Sequence, residues 1–269
     1  DLHPQQQEFF DNQNEIVGLS AGYGAGKTRS LCAMALKLMA QNVGFIGAIL
    51  EPTGPLLRDI WQTDFDQFLE HYEIPYSFRA SPLPEYVVHL KEGDCKLLCR
   101  SFENWSRIIG LNLAFCLADE IDVVSPTICE KAFPKILGRL RAGNVRQFCA
   151  ASTPEGFRWL YHTFATDEAK ERTDRQLIKM RTQDNPHLPS DFIERMQSNY
   201  DPSMDPIRAL LFPLHITAFC LCDSLEEEQY LGASQILIVS ASSKTAIGLA
   251  QGLADSKSSP KVVGLTSVT

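Results

Sequence analysis

The sequence predicts an α/β fold, a mostly parallel sheet flanked by helices, and three observations carry that expectation. Apolar runs without polar alternation, at 43–50 (VGFIGAIL), 111–118 and 145–152, suit strands buried on both faces. Helix-period segments accompany them, notably 27–39, where Leu31, Ala35, Leu38 and Met39 repeat on one side, and 56–72. Polar residues gather where two of the runs end, Asp119-Glu120 and Thr153-Pro154-Glu155-Gly156, at the strand ends where open α/β sheets bind ligands.

Taken in order, an amphipathic stretch from His3 to Phe10 precedes a short apolar strand from Glu15, a glycine-rich turn and the helix at 27–39. The strand at 43–50 leads into the helix at 56–72. Residues 74–90, rich in Pro, Ser and Tyr, read as a loop and a strand ending Val87-Val88-His89-Leu90, with 96–100 beside it. The texture changes after Tyr200: Asp201-Pro202-Ser203-Met204-Asp205-Pro206 reads as a turn or linker, followed by a helix around 224–230 and a strand at 235–240. Two domains are therefore expected, 1–203 and 204–269.

Composition narrows the class. With 269 residues and 44% hydrophobic content the chain can bury a sizeable core. A net charge of −8 argues against a uniformly basic surface, so any nucleic-acid contact is local. Two basic clusters, Lys135/Arg139/Arg141/Arg146 and Lys170/Arg172/Arg175/Lys179/Arg181, are read as solvated helix faces. The eight cysteines form no CxxC pair or zinc-ligand ladder and are expected to be reduced thiols; Cys220 and Cys222 are only a weak metal pair. No membrane-spanning run or secretory signal is visible, so a cytoplasmic location is expected, host cytoplasm in a viral context.

Chemistry concentrates in three strand-end motifs. Ala21-Gly22-Tyr23-Gly24-Ala25-Gly26-Lys27-Thr28 fits GxxxxGK[ST] with alanine first, between a strand and a helix. There backbone N–H groups and the helix N-terminus can wrap a phosphate, Lys27 can neutralise the β/γ-phosphates, and Thr28 can offer its hydroxyl to magnesium. Asp119 and Glu120 close an apolar strand as a Walker B pair, Asp119 for the metal and Glu120 to polarise the attacking water. Thr153, with Ser152 second, is the candidate for reporting loss of the γ-phosphate. Upstream, Gln6 can read an adenine edge and a neighbouring aromatic can stack on its face. The predicted fold is thus a P-loop NTPase of the RecA-like (ASCE) class that binds ATP and Mg2+.

These elements, over residues 2–201, resemble the ATPase domain of phage terminase large subunits. The likeness rests on the HPxQxxF-like start (Gln6, Phe9), the GxGxGKT loop, Pro52 to Arg58-Asp59, Arg107-Ile108-Ile109-Gly110-Leu111, Asp119-Glu120 and Ser152-Thr153-Pro154. It implies ATP-driven translocation of double-stranded DNA into a procapsid by a homo-oligomeric ring, with a portal protein and a small terminase subunit as partners. Tyr23 stands where many terminases carry an arginine; Arg139, or Arg141, is the candidate to supply that charge to a neighbouring subunit. The acidic cluster of a terminase nuclease domain is not seen in the remaining residues, so cleavage is not expected. Instead, 209–269 resembles a piece of an uncharacterised family related to medium-chain dehydrogenases, chiefly through 235–248 and 262–267, implying a small βαβ Rossmann-like fragment. Ser243 and Thr245 stand where the first two glycines of a dinucleotide site would be, so cofactor binding there is not expected. A helicase-like DNA-dependent ATPase and a non-enzymatic truncated or fused product are the alternative readings.

Overall fold

The computed structural model describes residues 2–198, 221, 222, 224–239, 244–255 and 260–265, and divides into two compact units, Asp1–Ser190 and Asp191–Thr269. In the first, the elements run α1 (Pro4–Asp11), β1 (Ile16–Ala21), α2 (Lys27–Gln41), β2 (Ile46–Glu51), α3 (Gly54–Leu56), a π-helical turn (Leu57–Gln62), α4 (Thr63–His71), β3 (Tyr76–Arg79), β4 (Glu85–Leu90) and β5 (Gly93–Ser101). There follow β6 (Phe115–Asp119), α5 (Pro126–Leu137), β7 (Gln147–Ser152), α6 (Trp159–Phe164), α7 (Asp167–Lys170) and β8 (Arg175–Met180).

The eight strands form one sheet in the order β3-β4-β5-β2-β6-β7-β1-β8. From β5 to β8 every neighbouring pair is parallel, and β4 is antiparallel to both β3 and β5. The C-terminal ends of six strands consequently share one edge. Every residue of β6 and β7 is buried, as their unbroken apolar character requires of central strands.

Alternation along the strands splits the interior into two cores. Val17, Leu19, Leu117, Cys149 and Ala151 face α1, α2 and α4, meeting Phe9, Leu31, Met34, Leu38 and Phe65. Ile16, Cys116, Ala118, Phe148 and Ala150 face the other way, against Cys129, Ala132 and Ile136 of α5 and Trp159, Leu160 and Phe164 of α6. Gly47 makes room within the sheet for its neighbour on β6: a Cβ there would lie 2.1 Å from the Phe115 ring.

Several boundaries differ from the sequence reading for identifiable reasons. Residues 43–45 form a turn into β2, with Gly44 at φ +80°, because Asn42 ends α2. The run at 111–118 becomes regular strand only from Phe115, since Leu113 bridges to Leu140 instead. The helix expected at 56–72 starts at Gly54 and loosens into the π-helical turn. The loop expected before Val87 contains β3 and the start of β4, a hairpin completed by Arg79 pairing with Glu85 at 2.9 Å. The second basic cluster is not one helix face. Only Lys170 is helical; Arg175 and Lys179 lie on β8, where exposed Lys179 stands between buried Ile178 and Met180, as the strand period of two requires.

In the second unit, β9 (Gln235–Val239) and β10 (Lys261–Leu265) pair in parallel, and Ile238, Ala246 and Leu253 share a small core with Tyr230 through the intervening helix Lys244–Asp255. That is a βαβ unit. The helix expected at 224–230 is α-helical at 224–227 and 3₁₀ at Gln229–Gly232. The linker at 201–206, the boundary between 203 and 204, Cys220 and Ser243 lie outside the described residues.

Asn42 anchors α2 at its end remote from the glycine loop. Its buried amide donates to Leu38 O (2.9 Å) and Val145 O (3.0 Å) and accepts from the N–H groups of Asn144 (2.8 Å) and Val145 (3.0 Å), tying the helix to the turn before β7. Truncation would strand these groups. Asn42→Ala is expected to lower unfolding free energy by about 2–3 kcal/mol, read by urea denaturation; an unchanged midpoint would show that water replaces the amide at no cost.

Candidate active site

The glycine loop leaves β1 at Ala21 and enters α2 at Lys27. Gly24 and Gly26 take φ +68° and +97°, backbone that side chains rarely adopt, and a Cβ on Gly26 would come within 2.8 Å of Gln6 Nε2. Neighbours hold the loop by its carbonyls. Thr182 Oγ1 donates to Tyr23 O (2.9 Å), Asn185 Nδ2 to Gly24 O (2.7 Å) and Gln6 Nε2 to Gly26 O (3.2 Å), while His3 Nε2 lies 3.4 Å from Ala25 O. Gly22 N–H continues the β8 pairing by donating to Met180 O at 3.0 Å. With the carbonyls engaged, the first-turn N–H groups of α2, which no helical bond uses, provide donors suited to an oxyanion.

On the adjacent strand ends the predicted side chains converge. Thr28 Oγ1 donates to Asp119 Oδ2 at 3.0 Å. Lys27 Nζ donates to Thr153 Oγ1 at 2.8 Å and lies 3.3 Å from Glu120 Oε1. The other Glu120 oxygen accepts from Ser152 Oγ (3.2 Å) and Thr153 N–H (3.0 Å). Glu120 itself sits at φ +44°, an uncommon backbone for a residue with a Cβ, held by these contacts from both neighbours. The order β6-β7-β1 makes this possible by bringing the three strand ends side by side.

More negative charge is present than the motifs alone suggest. A cleft of about 490 Å³ beside Lys27 is lined by Glu51 from the end of β2, Asp64 from α4, Asp119 and Glu120, with Arg29 as the second cation. Glu51 is buried and its Oε1 has no hydrogen-bond partner. Burial, then the charges of Asp119, Glu120 and Asp64, holds its carboxyl well above the ordinary carboxylate range. Asp119 is likewise pushed up by burial and then by Glu120, against the Thr28 hydrogen bond. Among the described residues no group of three or more His, Cys, Asp or Glu could hold a metal by itself; the adjacent oxygens of Thr28 and Asp119 are the hard donors that fit a divalent cation completing its shell with other oxygens.

Other expected residues are distributed differently. Gln6 also accepts from His3 N–H (3.2 Å), so its amide braces the loop, although it lines a second cleft of about 420 Å³ with Arg29, His71, Asn185 and His187. Phe9 of the same HPxQxxF-like start is fully buried in the core. Tyr23 is 60% exposed, with Lys27 Nζ 5.9 Å from its ring centroid. Arg139 is not brought to this site. Its carbonyl accepts from Leu113 N–H (2.9 Å), and Leu113 precedes β6, at the strand's opposite end from Asp119; exposed Arg141 follows it, with Nε donating to Asn112 Oδ1. Asp122 was missed although it organises the site's floor, accepting from Leu160 N–H (2.8 Å) and Glu155 N–H (3.2 Å) while its own N–H donates to Ser152 Oγ (3.1 Å). Glu51 closing an apolar strand, as Asp119 closes its own, was the signal that could have revealed it.

Solved structures resembling this chain include the large terminase of a thermophilic bacteriophage in complex with ADP (15% identity, TM-score 0.63, covering 74% of this chain and 50% of that one). They also include the ATPase domain of the Thermus phage P74-26 large terminase (16%, TM-score 0.58, 76% and 90%) and the HK97 bacteriophage large terminase (14%, TM-score 0.56, 77% and 49%). This chain has the mostly parallel α/β fold of those P-loop domains, and it spans about half the length of the thermophilic-phage terminases it matches. Residues 191–269 match a family described as "Protein of unknown function (DUF2855)", a description that names no dehydrogenase. No curated protein matches the chain. Among the described residues no helix is long and apolar enough to cross a membrane.

The carboxylate crowding has a pH signature. Carboxyls whose proton affinity is raised by folding keep their protons after the unfolded chain has released its own, so stability is greatest below their ordinary values and falls as pH rises past 4.5 for Glu51. Urea midpoints of the ligand-free protein should therefore fall between pH 5 and pH 8, and Glu51→Gln should reduce that fall. An equal fall in both proteins would remove Glu51 as its source.

Proposed function

We propose that the first unit is an ATP-hydrolysing motor domain of the phage terminase large subunit type, which uses Mg-ATP to translocate double-stranded DNA during viral DNA packaging. The observation that carries this reading is the meeting of Lys27, Glu120 and Thr153 beside the Thr28–Asp119 hydrogen bond. The likeness to terminase ATPase domains at the level of fold supports the same class.

In this reading Gly22, Tyr23, Gly24, Ala25 and Gly26 supply backbone around the phosphates, and Lys27 neutralises their β/γ oxygens. Thr28 and Asp119 would hold magnesium, whose role is to offset charge developing on the β/γ-phosphate oxygens. Glu120 orients the attacking water and accepts its proton, a role open to it once Lys27 turns to phosphate and frees Oε1. Thr153, joined to Lys27 through its hydroxyl and to Glu120 through its N–H, senses whether the γ-phosphate is present. Gln6 holds the base-side wall of the loop. Arg139, remote from its own loop, would enter this chemistry only by acting on a neighbouring subunit in a homo-oligomeric ring. A portal protein and a small terminase subunit are the partners this function requires, in the host cytoplasm.

Lys27→Ala is expected to abolish ATP hydrolysis and weaken nucleotide binding. Glu120→Gln is expected to bind Mg-ATP normally while turnover falls at least 100-fold, on the order of general-base loss. Phosphate-release and equilibrium-binding measurements, with and without duplex DNA, check both; normal turnover in Glu120→Gln would overturn the assignment.

A further inference from the structure

A third cleft, of about 470 Å³, opens in the first unit at the close of β5. The segment between β2 and α4 contributes to both clefts: Leu56 and Ile60 to the nucleotide cleft, and Leu57, Arg58 and Gln62 to this one. Three arginines line it, Arg58, Arg100 and Arg107, together with Ser101 and Asn104, and no carboxylate does. In a chain of net charge −8 this concentration of cations without an acidic lining residue requires explanation.

Arg100 is only 7% exposed. One of its terminal nitrogens donates to Pro84 O (2.8 Å) and Cys99 O (2.7 Å), which fixes the guanidinium, while its buried Nε has no hydrogen-bond partner. Arg58 and Arg107 are exposed, and among the described residues neither has an ion-pair partner. Glu85, the carboxylate near Arg100, is already claimed by Arg79 (2.9 Å) and Lys96 (3.2 Å). Burial, reinforced by Arg107 and Arg79, pushes Arg100 down from its usual value. A desolvated cation with further cations lining the same cleft gains from a multivalent anion, and a guanidinium fork matches phosphate oxygens in pairs.

We propose that this cleft is a phosphate-binding site, separate from the glycine loop, in which Arg100 is the fixed base and Arg58 and Arg107 close on the anion from the rim. The proposal is independent of the nucleotide reading. Its ligand chemistry is a phosphate group, either a free oxyanion or a phosphodiester of a nucleic-acid backbone.

The test is calorimetric titration of inorganic phosphate into the full chain carrying Lys27→Ala, which takes the lysine from the glycine loop and so weakens the competing site. Phosphate should still bind, and Arg58→Ala or Arg107→Ala, both at exposed positions that leave the fold intact, should each weaken it about tenfold or more, as expected for loss of a charge-assisted pair. Arg100→Lys, which keeps the charge but loses the fork, should weaken it comparably. A short DNA duplex that displaces phosphate, and that binds less well to the same variants, assigns the cleft to backbone phosphodiesters; phosphate binding without displacement assigns it to a free oxyanion. Phosphate affinity unchanged in the Arg58→Ala/Arg107→Ala double variant, or lost entirely with Lys27→Ala alone, overturns the proposal. Whether Lys27→Ala also abolishes ATP hydrolysis is a separate readout and tests only the nucleotide site.

Discussion

Excess negative charge at one end of the sheet is the constraint around which the first unit is organised. Glu51, Asp64, Asp119 and Glu120 line a cleft whose cations are Lys27 and Arg29. Arg29 leans outward, its guanidinium 4.8 Å from the Phe68 ring centroid and 5.5 Å from that of Tyr72, so Lys27 is the cation that touches the acidic pair's Glu120 directly. An isolated buried carboxylate is expensive, and it is tolerated where a partner charge or a proton compensates. The raised proton affinities of Glu51 and Asp119 express that shortage of positive charge, and a ligand carrying a divalent cation would relieve it.

Topology is what places the shortage there. Parallel strands joined by crossovers put all their C-terminal ends on one edge, so residues distant in sequence are assembled by strand order alone. Lys27 reaches Thr153 across 126 sequence positions because β1 and β7 are neighbours, and Thr28 reaches Asp119 across 91 because β6 comes next. Further along the same edge, Arg100 sits near the end of β5. One edge therefore carries a carboxylate-rich cleft and an arginine-rich one, with the turn from Gly54 to Gln62 contributing side chains to both. A π-helical turn carries a wider backbone than the α-helix and is common at functional sites, which suits a segment shared in this way.

The chemistry-bearing motifs were legible because each is local. Glycine loop, acidic pair and Thr153 are short strings at the ends of apolar runs, and the rule that parallel strands share an edge predicts that they meet. What escaped was set by tertiary context. Glu51 and Asp64 acquire meaning only because β2 adjoins β6 and α4 packs over the strand end. Asp122 looks like an ordinary turn residue until its hydrogen bonds to two backbone N–H groups and the Ser152 hydroxyl are seen. The basic string from Lys170 to Arg181 has charges at spacings that satisfy a helix face as easily as a strand, and the pairing of Ile178 and Met180 beside β1 decided for the strand. Phe9, quoted in the HPxQxxF-like start, proves to be a core residue.

The central claim, that the lysine-bearing loop and the acidic pair share one metal-bound triphosphate, is tested most directly by a crystal structure grown with a non-hydrolysable ATP analogue and Mn2+. The expected result is an anomalous peak beside Thr28 Oγ1 and Asp119, with the terminal phosphate on Lys27 and the Lys27–Glu120 contact opened. A nucleotide bound elsewhere, or a metal with no oxygen from Thr28, Asp119 or their coordinated water within reach, would contradict it.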